Sequence, residues 1–497
     1  MWDVVIVGCG PVGATAANLA GRAGLSTLVI ERDPQIFDLP RAIHFDAHIM
    51  RILQQIRLAE RMVPNTRTWR RSTFYGADAQ PIRVHDWPTD NPYGWDAHYL
   101  FYQPTLEQIL RDGLRQYENV DLRLGVEVVG VAQPDDQVTV TMRDVNTGER
   151  TEVAARYLIG TDGASSFVRS NSGIQLVDGD FDEPWLVVDL RCDRELGRPN
   201  ESEMFCDPVR PSTRVPGPGN HHRWEFMLLP GESVDDISRP ASIEALLKPW
   251  VSGDEVEIIR ASVYRFHSLI AQRWRDARVF LAGDAAHQTP PFLGQGLCHG
   301  IRDVQNLIMK LGAVFAGGPA DVLLDSYEAE RRPHVQLIID MAVAAGREIC
   351  LLDPHAAAER DQRTRAAAAS GELPRTTFQG MPPLSGGLFT ATDGAGELFL
   401  QPRLRGVDGR QTWFDDLVGP DIAVVALPDV AAALRADHVP VVEMPAGAAE
   451  WFTAHRARAA VLRPDRYVYA TAPDADETQR LLRELRALFP LRVLSQS

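Results

Sequence analysis

The chain opens on a short run, Trp2 to Val7 (WDVVIV), apolar except for Asp3, which reads as a short buried strand. The run breaks at Gly8-Cys9-Gly10-Pro11-Val12-Gly13, and the Ala-rich stretch Ala14 to Ala23 has helical character up to Gly24. A second apolar run, Leu25 to Ile30, predicts another strand that ends at Glu31. Strand, glycine turn, helix, strand and acid therefore follow one another at the start of the chain.

Two later apolar runs also end in Gly/Asp turns. Tyr157 to Gly160 leads into Asp162-Gly163, with Arg169 on the helix expected next. Val279 to Ala282 leads into Gly283-Asp284, then Pro290-Pro291, Gly294-Gln295-Gly296 and a helix from about Leu297. The intervening segment of about 120 residues is β-rich, with strands predicted at Trp185 to Leu190, His221 to Leu229 and Arg260 to His267. Alternation along His221 to Phe226 puts Arg223 and Glu225 on one face and His222 and Trp224 on the other.

Downstream, Val304, Leu307, Ile308 and Leu311 recur at helical spacing within Ile301 to Phe315. Asp325 to Arg332 continues as helix until Pro333, and His334 to Leu352 resumes it. Residues 351–384 read as a helical or linker segment. Thr412 to Leu417, Ile422 to Leu427, Val439 to Met444, Ala459 to Leu462 and Tyr467 to Thr471, with a helix Asp476 to Phe489, predict a small α/β unit.

Composition narrows the function classes. The 497 residues suggest two to four domains. Lys and Arg number 51 against 67 Asp and Glu, a net charge of −16, which repels phosphate backbones and argues against a nucleic-acid partner. No apolar run approaches the ~20 residues of a membrane span, and no basic segment precedes the first apolar run, so neither an anchor nor a signal peptide is expected. Cys9, Cys192, Cys206, Cys298 and Cys350 are scattered and form no CxxC. They predict no disulfide framework and no metal site, and fit a reducing cytoplasm.

The first turn has chemistry at each position. Gly8 permits the tight turn, Gly10 lets a pyrophosphate approach the backbone, and Gly13 lets helix and strand pack closely. The helix start offers N–H groups to phosphate, and Glu31 can accept from ribose hydroxyls. This fingerprint alone does not separate NAD from FAD. The later turns favour a flavin, with Asp284 suited to a polyol and the helix start near Leu297 to a ring carbonyl.

The three motifs, in this order and at these separations, resemble the class A flavoprotein monooxygenases typified by para-hydroxybenzoate hydroxylase. The branch most resembled is that of the phenol-type and 3-(3-hydroxyphenyl)propionate hydroxylases. The likeness covers residues 1 to about 350 and, more loosely, the C-terminal tail. It implies an α/β chain (α+β overall), with a Rossmann-like FAD-binding domain (1–70, 100–180 and 270–350) and an inserted β-sheet substrate domain (71–99 and 181–269). A thioredoxin-like C-terminal domain (385–497) would follow, which without a cysteine after Cys350 is left a packing or homodimer role. It further implies FAD, NADPH or NADH as co-substrate, O₂, a small aromatic substrate and oxygen transfer through a C4a-hydroperoxyflavin.

Carried over by position, Gly8, Gly10 and Gly13 match the glycine motif and Glu31, with Arg32 beside it, the ribose acid. Arg41, in Leu39-Pro40-Arg41-Ala42, matches an arginine near the flavin or its pyrophosphate, and Gln103 a glutamine before a helix. Asp162 and Gly163 match a motif serving FAD and nicotinamide phosphates, Asp284 the second acid, and Pro291, Gly294, Gly296 and Leu297 the flavin-facing loop. Leu297 and Cys298 stand where relatives commonly carry Met or Ala and then Asn, and Cys298 reads as a small packed residue. Arg223 lies where relatives carry an arginine close to the flavin, although a structural pair with Glu225 explains it too. A base for a phenol is not singled out; His44, Asp46, His222 and His287 are the candidates, His44 foremost. Trp69, Tyr75, Trp87, Tyr93, Trp95 and Tyr99 cluster where substrate contacts are expected. A flavin dehydrogenase or reductase, or an epoxidase, of the same fold is the alternative. A flavin halogenase would need two tryptophans two positions apart, which the sequence lacks.

Overall fold

Five strands pair in parallel in the order Val279–Leu281, Arg150–Gly160, Trp2–Val7, Thr27–Glu31 and Val120–Leu124. Such a sheet is covered on both faces at its centre, which is why residues 4–7, 28–30 and 158–159 are apolar, whereas the edge strand Val120–Leu124 carries Asp121 and Arg123. Val4, Val5, Ile6, Leu28 and Val29 are fully buried. Helix Pro11–Arg22 lies against this sheet and packs on helix Gly296–Phe315. Val138–Asp144 and Val126–Ala132 extend the long Arg150–Gly160 strand as an antiparallel meander. The computed structural model describes residues 1–36, 41–87, 89, 91–193, 196, 201–251, 256–370, 381–405, 409–434 and 439–490. Leu39 and Pro40, and residues 371–380 of the expected linker, lie outside them.

A second, mixed sheet runs in the order His287–Gln288, Glu257–Ala271, Leu176–Arg191, His221–Met227, Ser212–Pro216, Ser202–Phe205, Arg71–Tyr75 and Pro81–Asp86. Alternation sorts its faces. Leu186, Val188, Leu190, Trp224 and Phe226 pack with Ile243 and Leu247 of helix Pro240–Leu247. Val187, Asp189, Arg223 and Glu225 lie on the other face, Asp189 opposite Arg223 and Val187 opposite Glu225. A three-stranded ribbon, Thr66–Thr68, His98–Phe101 and His44–Asp46, lies in sequence between the first two parts.

The C-terminal part is a four-stranded sheet ordered Val441–Glu443, Ala423–Ala426, Ala459–Leu462 and Val468–Ala472. Leu481 and Leu485 of helix Ala475–Leu488 cover one face, where Ala313 and Leu323 join the same core. Phe399, Phe414 and Phe452 cover the other. Helix Pro354–Ser370 packs beside strand Pro81–Asp86, with Arg360 donating to the Cys206 carbonyl. Among the described residues no helix is long and apolar enough to cross a membrane.

Two local expectations fail. Pro333 does not end a helix, since Ala320–Ile349 is continuous through it. An interior proline costs about 3 kcal/mol. Pro333 is exposed, while Tyr327, Glu330, Arg331, His334, Val335 and Ile338 on both sides are buried and hold the helix together. Thr412 to Leu417 is not one strand: Gln411–Trp413 is strand and Phe414–Val418 is helix. Burial of Phe414 and Val418 favours a helical turn there.

Glu330 is fully buried between Lys310 and Arg463, each 2.9 Å away, and also accepts from Asn306 Nδ2 and the Leu388 N–H. These partners tie both long helices to the C-terminal sheet. The two cations hold the Glu330 carboxyl well below the usual carboxylate range. Removing one member of a buried ion pair leaves its partners desolvated and uncompensated, at a cost of about 3–5 kcal/mol. Glu330→Gln is therefore expected to lower stability by about 3 kcal/mol in urea unfolding. An unchanged midpoint would contradict this.

Candidate functional site

The glycine turn is built by close approach. A Cβ on Gly13 would lie 2.0 Å from the Gly8 carbonyl oxygen, so the helix can pack on the strand only without one. Gly8 has φ +94°, a left-handed conformation. Gly10 has open space where its Cβ would be, and helix Pro11–Arg22 has no side-chain cap. Glu31 accepts from the Cys9 N–H at 2.6 Å and the Asp33 N–H at 2.9 Å, which fixes its carboxylate beside the turn. Arg32 is exposed next to it and pairs with Asp33.

The Asp162-Gly163 turn lies at the end of the neighbouring strand. Asp162 accepts from Ser166 Oγ and the Val168 N–H, so both its oxygens shape the turn in which Gly163 sits at φ +78°. Burial pushes its carboxyl up. Arg169 donates to the Ala164 and Ala285 carbonyls and so joins the two Gly/Asp turns.

The second turn hangs on Asp303. Its buried carboxylate accepts from the Gly283 N–H (3.2 Å), His287 Nε2 (2.7 Å) and Arg331 Nε (2.9 Å). Asp284 itself accepts no hydrogen bond among the described residues and is exposed on the wall of a large cavity. The surrounding protein still pushes its carboxyl up. Pro291–Leu293 is a short turn of helix, Gly294 follows at φ +64°, and helix Gly296–Phe315 begins without a side-chain cap.

Arg41 is held from two sides. Gln103 Oε1 accepts from the Arg41 and Ala42 N–H groups at 3.0 and 2.7 Å, while Glu107 fixes the amide nitrogen. Arg223 Nη1 donates to the Arg41 carbonyl at 2.6 Å, and its Nε and Nη2 grip Asp189 at 2.9 and 3.0 Å. Glu225 is the weaker partner of Arg223, at 3.9 Å.

The three turns and Arg41 open on one cavity of about 840 Å³, which runs from the glycine turn to the mixed sheet. The expected cofactor residues other than Gly13, which lies beneath the turn, line it together with Arg223 and His44: Gly8, Gly10, Glu31, Arg32, Arg41, Gln103, Asp162, Gly163, Asp284, Pro291, Gly294, Gly296 and Leu297. The far end is aromatic, with Trp69, Phe74, Trp87, Tyr264, Phe266 and Phe292. Of the six expected aromatics only Trp69 and Trp87 reach it. Tyr75 stacks on Phe205, Trp95 meets Trp413, and Tyr99 is buried against Phe45.

The candidate bases separate. Asp46 caps helix Ala47–Gln55 and pairs with Arg302, His287 is bound to Asp303, and His222 does not line the cavity. His44 does line it, but Nδ1 meets the Gly294 carbonyl at 3.1 Å and Nε2 meets His98 Nδ1 at 2.8 Å. Burial pushes His44 down to about 4 and His98 down to about 3. Arg83, His85 and His98 are cavity residues that sequence reasoning missed. Cys298 is buried with its thiol pushed up, the behaviour of a packed residue.

The site fits FAD on its own chemistry. Two uncapped helix starts, the open positions above Gly10 and Gly296, and a carboxylate awaiting donors at Asp284 all face one cavity.

Comparison with known proteins agrees. A family profile described as "FAD binding domain" matches residues 1–342, and one described as "HcaD C-terminal domain" matches 431–488. A protein of Rhodococcus jostii (strain RHA1), "Probable NADH-specific resorcinol 4-hydroxylase", is 37% identical over 98% of this chain and 94% of its own length. A "3-(3-hydroxy-phenyl)propionate/3-hydroxycinnamic acid hydroxylase" of Burkholderia cenocepacia (strain HI2424) is 35% identical over 94% of this chain and 93% of its own. Among solved structures, the flavin-dependent monooxygenase PieE with FAD and substrate superposes with a TM-score of 0.80 at 22% identity, covering 98% of this chain and 99% of its own. The anhydrotetracycline hydroxylase OxyS of Streptomyces rimosus gives 0.77 at 26%, covering 99% and 100%. With the cavity and its turns on one side and these relatives on the other, the chain belongs to the FAD-binding family of flavin-dependent aromatic hydroxylases.

Proposed function

We propose that the protein takes electrons from NADH and places one oxygen atom of O₂ on the ring of a small phenol. The observation that carries this reading is the single cavity joining the cofactor turns to an aromatic-walled end on the mixed sheet. The names of the two relatives, a resorcinol and a hydroxyphenylpropionate hydroxylase, support the substrate class, and the first supports NADH. Dependence on NADH fits a cytoplasmic protein.

Bound FAD would supply electron transfer from the nicotinamide and activation of O₂. Gly8, Gly10 and the helix start at Pro11 would hold its pyrophosphate, Glu31 a ribose and Asp284 the ribityl hydroxyls. The backbone of Gly294, Gly296 and Leu297, with the helix start behind it, would offer donors to the ring's carbonyl edge. Arg223 and Gln103 are positioning residues that fix Arg41 against the same cavity. Arg41 adds positive charge to a protein that is acidic overall, which favours a phenol with a carboxylate side chain or cofactor phosphates. Trp69, Phe74, Trp87, Phe266 and Phe292 exclude water from the reacting ring. On this reading the parallel sheet carries the cofactor and the mixed sheet the substrate, while the C-terminal unit braces the long helices or joins two copies.

The purified protein is expected to be yellow and to oxidise NADH when given resorcinol or 3-(3-hydroxyphenyl)propionate, with a product heavier by one oxygen atom. A colourless protein, or no oxygenated product from any phenol screened, would refute the reading. Asp284→Ala removes a charged acceptor, a loss that lowers FAD affinity about 10- to 100-fold. Equilibrium dialysis against FAD measures this, and unchanged affinity would remove Asp284 from its role.

A further inference from the structure

We propose that His98 recognises the substrate's hydroxyl, through an Nε2 that hydrogen bonds on its far side fix as an acceptor. This rests on the phenolic substrate proposed above.

The argument starts from a carbonyl. The Gly294 oxygen can only accept, so His44 Nδ1, 3.1 Å away, carries the proton. A neutral imidazole has one N–H, which leaves His44 Nε2 with a lone pair. That nitrogen lies 2.8 Å from His98 Nδ1, so His98 must donate and Nδ1 carries its proton. His98 Nε2 is then obliged to be an acceptor. It has no hydrogen-bond partner among the described residues, it is not sealed from solvent, and its residue lines the cavity.

The chain of bonds holds only if both rings stay neutral, and their surroundings keep them so. The pair is buried, with Trp69 packed edge-on to His44 at 4.9 Å and Trp87 against His98 at 4.0 Å. Asp46 on the strand of His44 favours protonation, whereas Arg302 on the helix after Gly294 and His85 on the Pro81–Asp86 strand oppose it. Desolvation outweighs Asp46, and both rings lie well below the ordinary histidine value.

The geometry makes a detector for a donor at the aromatic end of the cavity. A phenol O–H satisfies Nε2. A methyl ether cannot, and leaves the nitrogen buried and unpaired, which is the arrangement that discriminates most strongly. His44 serves as the positioning residue that transmits the constraint from the Gly294 loop.

The test uses FAD-loaded protein and follows the flavin absorbance during titration with resorcinol and with 1,3-dimethoxybenzene. The native protein is expected to favour resorcinol by about 10-fold or more. His98→Phe should bring the ratio close to one while FAD remains bound. His98→Gln, which places an amide oxygen near the Nε2 position, should keep a preference of several-fold. His44→Phe, which frees the His98 tautomer, should lower the ratio. If His98→Phe does not retain FAD, the Gln and His44 variants decide. A preference undiminished in these variants overturns the inference and leaves the hydroxylase reading intact. If the native protein oxygenates no phenol, the substrate class falls and His98 recognition falls with it.

Discussion

One buried carboxylate carries much of the site. Asp303 holds the Gly283–His287 turn, the helix it sits on and, through Arg331, the Ala320–Ile349 helix. Arg331 in turn contacts His299 and His334. A charge with no solvent exposure persists only if donors compensate it, and here the Gly283 N–H, the His287 imidazole and the Arg331 guanidinium do so. The position of Asp284 on the cavity wall follows from that fixed turn. The residue preceding Asp303, Arg302, joins Asp46, Gln295 and His48, so the helix that starts at the flavin-facing loop is clamped along its first turns.

Much of this was legible in the sequence, for a physical reason. The glycine turn, its flanking strands and Glu31 are a local arrangement, and steric demands at Gly8 and Gly13 leave a signature in residue type. The central parallel strands show as apolar runs because both of their faces are covered. Arg41, Gln103 and Arg223 were found through family likeness, but their joint task was not. Arg223 donates to the Arg41 carbonyl across 182 positions, and no spacing pattern encodes such a contact.

Of the aromatic end of the cavity, sequence pointed to Trp69 and Trp87 but not to the polar groups beside them. His98 sits 54 positions from His44, on another strand of a ribbon whose pairing is itself long-range. Arg83 and His85 come from a hairpin at the far edge of the mixed sheet. At Pro333 the local rule was clear and lost, because packing on both sides of the proline outweighed its cost. The same priority of packing over propensity turned Phe414–Val418 into a helix.

The account's central claim is that this cavity brings FAD, O₂ and a phenolic ring together and transfers one oxygen atom. The most direct measurement is product mass after turnover with NADH and resorcinol under ¹⁸O₂ in ordinary water. The account predicts one heavy oxygen atom in each molecule of hydroxylated product. A product whose new oxygen comes from water, or NADH consumed with resorcinol unchanged, would contradict it.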